Sequence, residues 1–210
     1  GKELSAAGDK RDALFKSLSE IHAKAVQKAR DGKYDVAVEI LDKLLETRYD
    51  IPATLADKII IMSWAGKYDD VISMYSKYCD SYAPKPYLLD AVGTSYRRTG
   101  RYAEAIECYE KSLSLNPDNP DAVKGKVFSL IGARRNSEAH TFIQKEMEKY
   151  QDPPNWLKML TCEAYIVEGS YDKAGNFLRS YLKTNPNDAD AKKMMIDVLI
   201  QQKTGLKEAM

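Results

Sequence analysis

Histidine and cysteine are scarce in this chain, with two His and three Cys in 210 residues. Catalysis and metal binding need such groups held together in geometry, and His22 and His140 lie far apart. No HExxH, CxxC, glycine-rich phosphate loop or GxSxG motif occurs. Cys79, Cys108 and Cys162 are odd in number and widely spaced, which argues against a disulfide framework. All three fall on helical faces expected to be buried, where Cys acts as a small hydrophobe. Charge of one sign is also missing: 32 Lys+Arg stand against 31 Asp+Glu, a net charge of +1. That balance excludes the basic footprint of a nucleic-acid binder. No run of about 18 apolar residues is present, so no helix of this segment should enter a membrane. No signal peptide is read, but the chain opens on Gly and not Met, so a soluble protein of either the cytoplasm or the bacterial periplasm is expected. No enzyme activity and no cofactor are expected.

What is present is a punctuated helical pattern. Leu14, Leu18, Ile21, Ala25 and Ala29 recur at three- and four-residue spacing from near Asp9, after eight residues without an apolar stripe that are expected to fray. The pattern stops at Asp31-Gly32 and resumes from about Asp35 to Thr47. Gly32, Gly66 and Gly100 are 34 residues apart each time, and Tyr34, Tyr68 and Tyr102 keep the same interval. The next step lands on Arg134, and one inserted residue later Gly169 and Tyr171 restore the signal. A small buried column runs through Ala37, Val71, Ala105, Ala139 and Ala174. A second set of small residues (Ala25, Gly93, Cys162) should let paired helices approach. Where Ala133-Arg134 replaces the turn glycine, a longer or tilted turn is expected.

A fixed period of 34 with helix-turn-helix content is the signature of a tetratricopeptide array. The stretch from Leu89 to Pro117 resembles that family most fully, through Leu89, Val92, Gly93 and Tyr96 on its first helix and Ala105, Tyr109 and Pro117 on and after its second. The resemblance implies an all-α, right-handed superhelix, an α-solenoid. Its expected divisions are an N-terminal extension at 1–17, partly helical, and repeats at 18–51, 52–85, 86–119, 120–154 (degenerate) and 155–188. A capping helix at 189–203 and a tail at 204–210 complete it. Met194, Met195, Val198 and Leu199 should face the fifth repeat. Stacked pairs bury a continuous core that one pair could not bury alone.

The resemblance places function on the first helices, which line a concave groove. Steps of 34 give five columns expected to be exposed there. They are Ser19, Ala53, Tyr87, Asp121, Trp156; His22, Ala56, Asp90, Lys124, Met159; Val26, Ile60, Thr94, Phe128, Glu163; Ala29, Ser63, Arg97, Ile131, Ile166; and Arg30, Trp64, Arg98, Gly132, Val167. The candidate partner-binding residues are Tyr87, Asp90, Thr94, Arg97, Arg98, Lys124, Phe128, Trp156, Met159 and Glu163. Aromatics and Arg are the types that dominate binding hot spots. The expected role is a non-catalytic scaffold for a protein segment or domain. Positions that would form a carboxylate clamp hold Ala23, Val26, Asp57, Ile60 and Ala91, which argues against capture of a chaperone tail. Turn-edge Lys33, Lys67, Arg101 and Arg135 form a basic column that either attracts an anion or balances neighbouring acids. Trp64–Tyr78 and Asp121–Ala133 also resemble segments of the N-terminal periplasmic repeats of bacterial porins that export poly-β-1,6-N-acetylglucosamine. That likeness implies the alternative of a periplasmic part of an exopolysaccharide exporter, recruiting a modifying enzyme or guiding the polymer.

Overall fold

The computed structural model describes the backbone of residues 2–208 and the side chains of residues 10–203. Among the described residues every regular element is an α-helix. The chain divides into two compact units, residues 1–122 and 123–210. The first holds α1 (Lys2–Arg30), α2 (Tyr34–Glu46), α3 (Ile51–Trp64), α4 (Tyr68–Cys79), α5 (Pro86–Arg98) and α6 (Tyr102–Leu115). The boundary falls inside α7 (Pro120–Gly132), and the second unit continues with α8 (Asn136–Met147), α9 (Asn155–Val167), α10 (Tyr171–Thr184) and α11 (Ala189–Glu208).

The turns follow from backbone conformation. Gly32, Gly66, Gly100 and Gly169 all have φ between 76° and 80°, the left-handed region that glycine enters without a Cβ clash. Each turn closes with the same long hydrogen bond back to the first helix. Examples are Lys33 N–H to the Lys28 carbonyl at 2.9 Å and Arg101 N–H to the Tyr96 carbonyl at 2.8 Å. The fourth turn corrects the sequence-based expectation, because it is neither longer nor irregular. Arg134 itself takes φ 62°, and Arg135 N–H reaches the Leu130 carbonyl at 2.9 Å. The turn's two hydrogen bonds offset the side-chain penalty of this conformation, about 1–2 kcal/mol.

The helix starts are equally local in origin. Pro86 and Pro120 open α5 and α7, where a missing N–H costs nothing. Asp35, Asp69, Glu104, Glu138 and Asp172 sit in the first turns of the second helices, against the positive end of the dipole.

Packing uses the small columns. Ala37, Val71, Ala105, Ala139 and Ala174 are each fully buried. A Cβ added at Gly93 would lie 2.9 Å from the Tyr109 ring, so α5 and α6 meet where only glycine fits. In the first unit Ile59, Val71, Leu88, Val92 and Cys108 share one core cluster, and Ala25, Ala37, Leu41 and Ile61 share another. In the second unit Cys162, Ala174, Leu178, Ala191 and Val198 form a core across α9, α10 and α11.

Four expectations on the periphery are corrected. α1 starts at Lys2 and not near Asp9. At 1.5 Å per residue its 29 residues run about 44 Å against about 20 Å for the 13 of α2. Its N-terminal half therefore overhangs its partner, and Leu14 there is exposed (61%); Ile21, beside Ile40 and Leu44 of α2, is also exposed (41%). Cys79 is exposed, unlike Cys108 and Cys162, because it ends α4 on the outer side of the last turn. α11 continues through Gly205 to Glu208, past the point where a tail was expected; residues 209 and 210 lie outside the described residues. Leu199 is turned outward (42% exposed), and Ala191 takes the buried position on the fifth hairpin instead.

Candidate functional site

The first unit brings five of the ten candidate residues onto one face of α5. Pro86 fixes the start of this helix, and Leu88, Leu89 and Val92 anchor its other side in the core. That leaves Tyr87, Asp90, Thr94, Arg97 and Arg98 on the open side, with Tyr87 46% exposed and Arg98 at the rim. Asp90 is half-buried, and its Oδ2 accepts a hydrogen bond from Asn119 Nδ2 at 2.7 Å. Burial pushes the Asp90 carboxyl above its ordinary value, opposed in part by hydrogen bonds from Ser112 and Asn119. One turn on, the Thr94 and Tyr109 hydroxyls are 3.0 Å apart. Burial also raises the Tyr109 hydroxyl, with Thr94 and the Arg97 guanidinium pulling it back. Two atoms of this face, Asp90 Oδ1 and Arg97 Nε, are buried without a hydrogen-bond partner. Such atoms are rare in folded chains, because each forfeits its hydration without a replacement.

Two contributors escaped the sequence reading. Asn119 holds Asp90, and its Oδ1 also accepts the Asp121 and Ala122 N–H groups at 3.1 and 3.4 Å, capping α7. An Asn just before Pro120 is a helix-start signal that could have been read. Ser112, on α6, sits 3.3 Å from Asn119 Nδ2.

The second unit holds the other five candidates on two helices. Lys124 and Phe128 lie four residues apart on α7, and Trp156, Met159 and Glu163 lie on α9. All five are half-buried, and Met159 packs partly against the α9–α11 core. The columns expected to be open are less so than the stepping implied. Ala29, Ala56, Ile60, Ser63 and Ile131 are buried. These positions face the neighbouring helices, and the Ser63 hydroxyl donates to the Ala91 carbonyl at 3.0 Å.

Three members of the basic turn column are paired with acids. Lys67 reaches Asp35 at 2.9 Å, Arg101 reaches Glu104 at 2.8 Å, and Arg135 reaches Glu138 at 2.6 Å. Each histidine likewise ties one hairpin to the next: His22 to Asp57 at 2.8 Å and His140 to Glu168 at 3.3 Å. Among the described residues no group of three His, Cys, Asp or Glu side chains is placed to hold a metal ion, and no helix is long and apolar enough to cross a membrane.

The comparisons with known proteins agree with this geometry. Residues 86–119 match the tetratricopeptide repeat family. Over 139 residues, 64% of the chain, it is 30% identical to the poly-beta-1,6-N-acetyl-D-glucosamine export protein of Escherichia coli strain K12. Over 97 residues, 46% of the chain, it is 31% identical to ER membrane protein complex subunit 2-A of Xenopus laevis. The chain spans 16% of the first relative's length and 32% of the second's. Among solved structures, a tetratricopeptide repeat protein from Parabacteroides merdae superposes with TM-score 0.70 at 16% identity, over 91% of this chain and 76% of that one. A thermophilic tetratricopeptide protein of Thermus thermophilus gives TM-score 0.63 at 15% identity, over 87% and 99%. The chain thus carries a tetratricopeptide repeat at residues 86–119 and has the all-α solenoid fold of proteins built from such repeats.

Proposed function

We propose that this chain is a non-catalytic interaction scaffold that binds a protein segment or domain on the open faces of its first helices. The observation that carries the reading is the α5 face. It presents an exposed aromatic, an exposed Arg and two buried polar atoms without partners, side by side on a helix held rigidly from behind. Aromatic and Arg anchors around desolvated polar groups are the usual composition of binding hot spots. Trp156, Met159 and Glu163 on α9, with Lys124 and Phe128 on α7, are a second candidate surface, belonging to the second unit. A phage-displayed library of extended peptides tests the reading. Recovered binders should lose at least tenfold in affinity against Arg98→Glu or Tyr87→Ala, or against Trp156→Ala, while far-ultraviolet circular dichroism is unchanged. Binders indifferent to all three substitutions would refute the surface assignment.

A second reading has one observation in its favour, the 30% identity to an exopolysaccharide export protein. In it the chain is the periplasmic repeat portion of such an exporter and recruits a polymer-modifying enzyme or guides the polymer. Titration with glucosamine oligomers should then quench or shift the fluorescence of Trp64 or Trp156. A flat titration with oligomers up to millimolar concentration counts against polymer guidance and leaves enzyme recruitment as the form of this reading to pursue.

A further inference from the structure

Three exposed side chains stand at equivalent places in the first unit, each the last residue of a first helix: Arg30 ends α1, Trp64 ends α3 and Arg98 ends α5. Packing behind them holds these helix ends together. Ala29 and Ile61 share a core cluster, and the Ser95 hydroxyl donates to the Ser63 hydroxyl at 3.1 Å. A cation at a helix C-terminus offsets the dipole there, which accounts for the two arginines. It does not account for the indole between them, which is 50% exposed.

The three side chains can only donate hydrogen bonds, and among the described residues none of them has an acceptor. Lys33, three residues past Arg30, is in the same state. Its counterparts Arg101 and Arg135 each pair with an acid three residues on, where Lys33 has Val36. The acids of the neighbouring turn and first helices already have donors. Asp31 is held by Gln27 at 3.0 Å, Asp35 by Lys67 at 2.9 Å, Asp57 by His22 at 2.8 Å and Asp90 by Asn119 at 2.7 Å. Asp69 and Asp70 lie past the turn glycine, in the first turn of α4. The edge also has room: an open cavity of about 320 Å³ separates the first two turns, with Lys33, Tyr34, Val36 and Ala65 among its walls. Its open valences are therefore all donors, and all of them reach solvent.

We propose that this edge binds an extended acidic segment of a partner protein. One carboxylate of the segment meets Arg30 and Lys33, a second meets Arg98, and the chain between them lies over Trp64, whose indole N–H donates to a backbone carbonyl. Packed helices stand about 8–10 Å apart, so two helix intervals span about 16–20 Å. Six residues of extended chain at about 3.3 Å each cover that distance, and residues six apart project to the same side. The edge thus selects carboxylates at positions i and i+6. The inference rests on the scaffold reading, shares only Arg98 with the α5 face and names the partner's chemistry.

The test is NMR of the Trp64 indole N–H in the intact chain, its peak identified with Trp64→Phe. The probe is an end-capped heptapeptide with Glu at its first and seventh positions and Ala, Ser and Gly between. It should shift this peak saturably, and raising the salt should weaken binding. Replacing both Glu by Gln should weaken it at least tenfold. Moving the second Glu to the third position, at unchanged charge, should weaken it at least threefold. The double variant Arg30→Glu, Arg98→Glu should prefer a heptapeptide with Lys in place of both Glu; both sites are exposed, and circular dichroism checks the fold. A Gln peptide that matches the Glu peptide, a double variant that keeps the original preference, or no saturable shift up to about 5 mM peptide would overturn the assignment. Equal binding of the two Glu spacings would refute the bridge between the arginines. A hexathymidylate that binds as tightly as the Glu peptide would overturn a protein segment as the occupant. If the acidic peptides fail while library binders still depend on Tyr87 or Trp156, this edge is wrong and the scaffold reading stands. If the acidic peptides bind through Arg30 and Trp64 while library binders ignore Tyr87 and Trp156, the edge stands and the α5 and α9 surfaces fail.

Discussion

Replacing Gly93 by alanine sets two effects of known sign against each other. Alanine is favoured over glycine in a helix interior by about 1 kcal/mol, and Gly93 lies near the middle of α5. Intrinsic propensity alone therefore predicts a more stable protein. The new Cβ, however, meets three Tyr109 ring carbons at 2.9, 3.1 and 3.1 Å. Those are tighter than carbon atoms tolerate, so the ring must retreat. Tyr109 is 1% exposed, so there is no solvent to retreat into, and moving it strains the 3.0 Å contact with the Thr94 hydroxyl. Overpacking of this kind costs about 1–3 kcal/mol, and weakening a hydrogen bond adds about 1 kcal/mol. The net expectation is a loss of about 1–3 kcal/mol, read as a lower urea midpoint. A double-mutant cycle isolates the cause. Tyr109→Phe keeps the ring carbons but releases the hydroxyl anchor, so Gly93→Ala should cost less in that background. If Gly93→Ala is neutral or stabilising in the parent chain, the account of α5–α6 packing is wrong.

The turns give a pair of opposite signs. Gly100→Ala should destabilise by about 1 kcal/mol, because a Cβ there meets nothing within 4 Å and the whole cost is the left-handed backbone. Arg134→Gly should stabilise by less than about 1 kcal/mol, since relief of the same strain is partly cancelled by a freer unfolded chain; thermal melts of both variants check the signs. Asp90 has a folded-state pKa raised by burial. Its contribution to stability is then greatest below its ordinary value of 3.8 and is lost as pH rises through the higher folded value. A carboxyl-detected NMR titration should find its midpoint above 3.8, and Asp90→Asn should flatten that part of the pH–stability curve; a midpoint at or below 3.8 refutes the burial argument. Burial pushes the Cys108 and Cys162 thiols up to about 12, whereas Cys79 is exposed. A thiol reagent at pH 8 should therefore modify one cysteine per native chain and all three in denaturant, with Cys79 identified by peptide mapping.

Much of the hairpin architecture was legible because its signals are local and recur. Turn glycines, first-turn acids and the column from Ala37 to Ala174 each report a backbone constraint repeated at a fixed interval, and the structure shows the same constraint at each. What was not legible depended on three-dimensional neighbours. Ala29, Ser63 and Ile131 share a sequence column with Arg97, yet they are buried, because an adjacent helix covers the shorter side chains and Arg97 reaches past it. Leu14 and Leu199 fit the helical stripe but have no element beyond them to pack against. The site was half legible. Its exposed members Tyr87 and Arg98 follow from stepping by 34, whereas the open valences of Asp90 and Arg97 depend on where Asn119, Ser112 and Tyr109 point.

The five turns close alike whether glycine or arginine stands at the left-handed position. The one supernumerary residue of the array is therefore not stored in a turn. Between Arg134 and Gly169 it lies past the turn: α8 (12 residues) and its seven-residue connection to α9 (148–154) hold one residue more than α4 (12 residues) with its six-residue connection, or α6 and α10 (14 residues each) with their four-residue connections. The two ends of a hairpin consequently differ in what they can inherit. The tight end transmits its length unchanged from copy to copy, and the loose end is where such an array can gain or lose residues without disturbing the register of its columns.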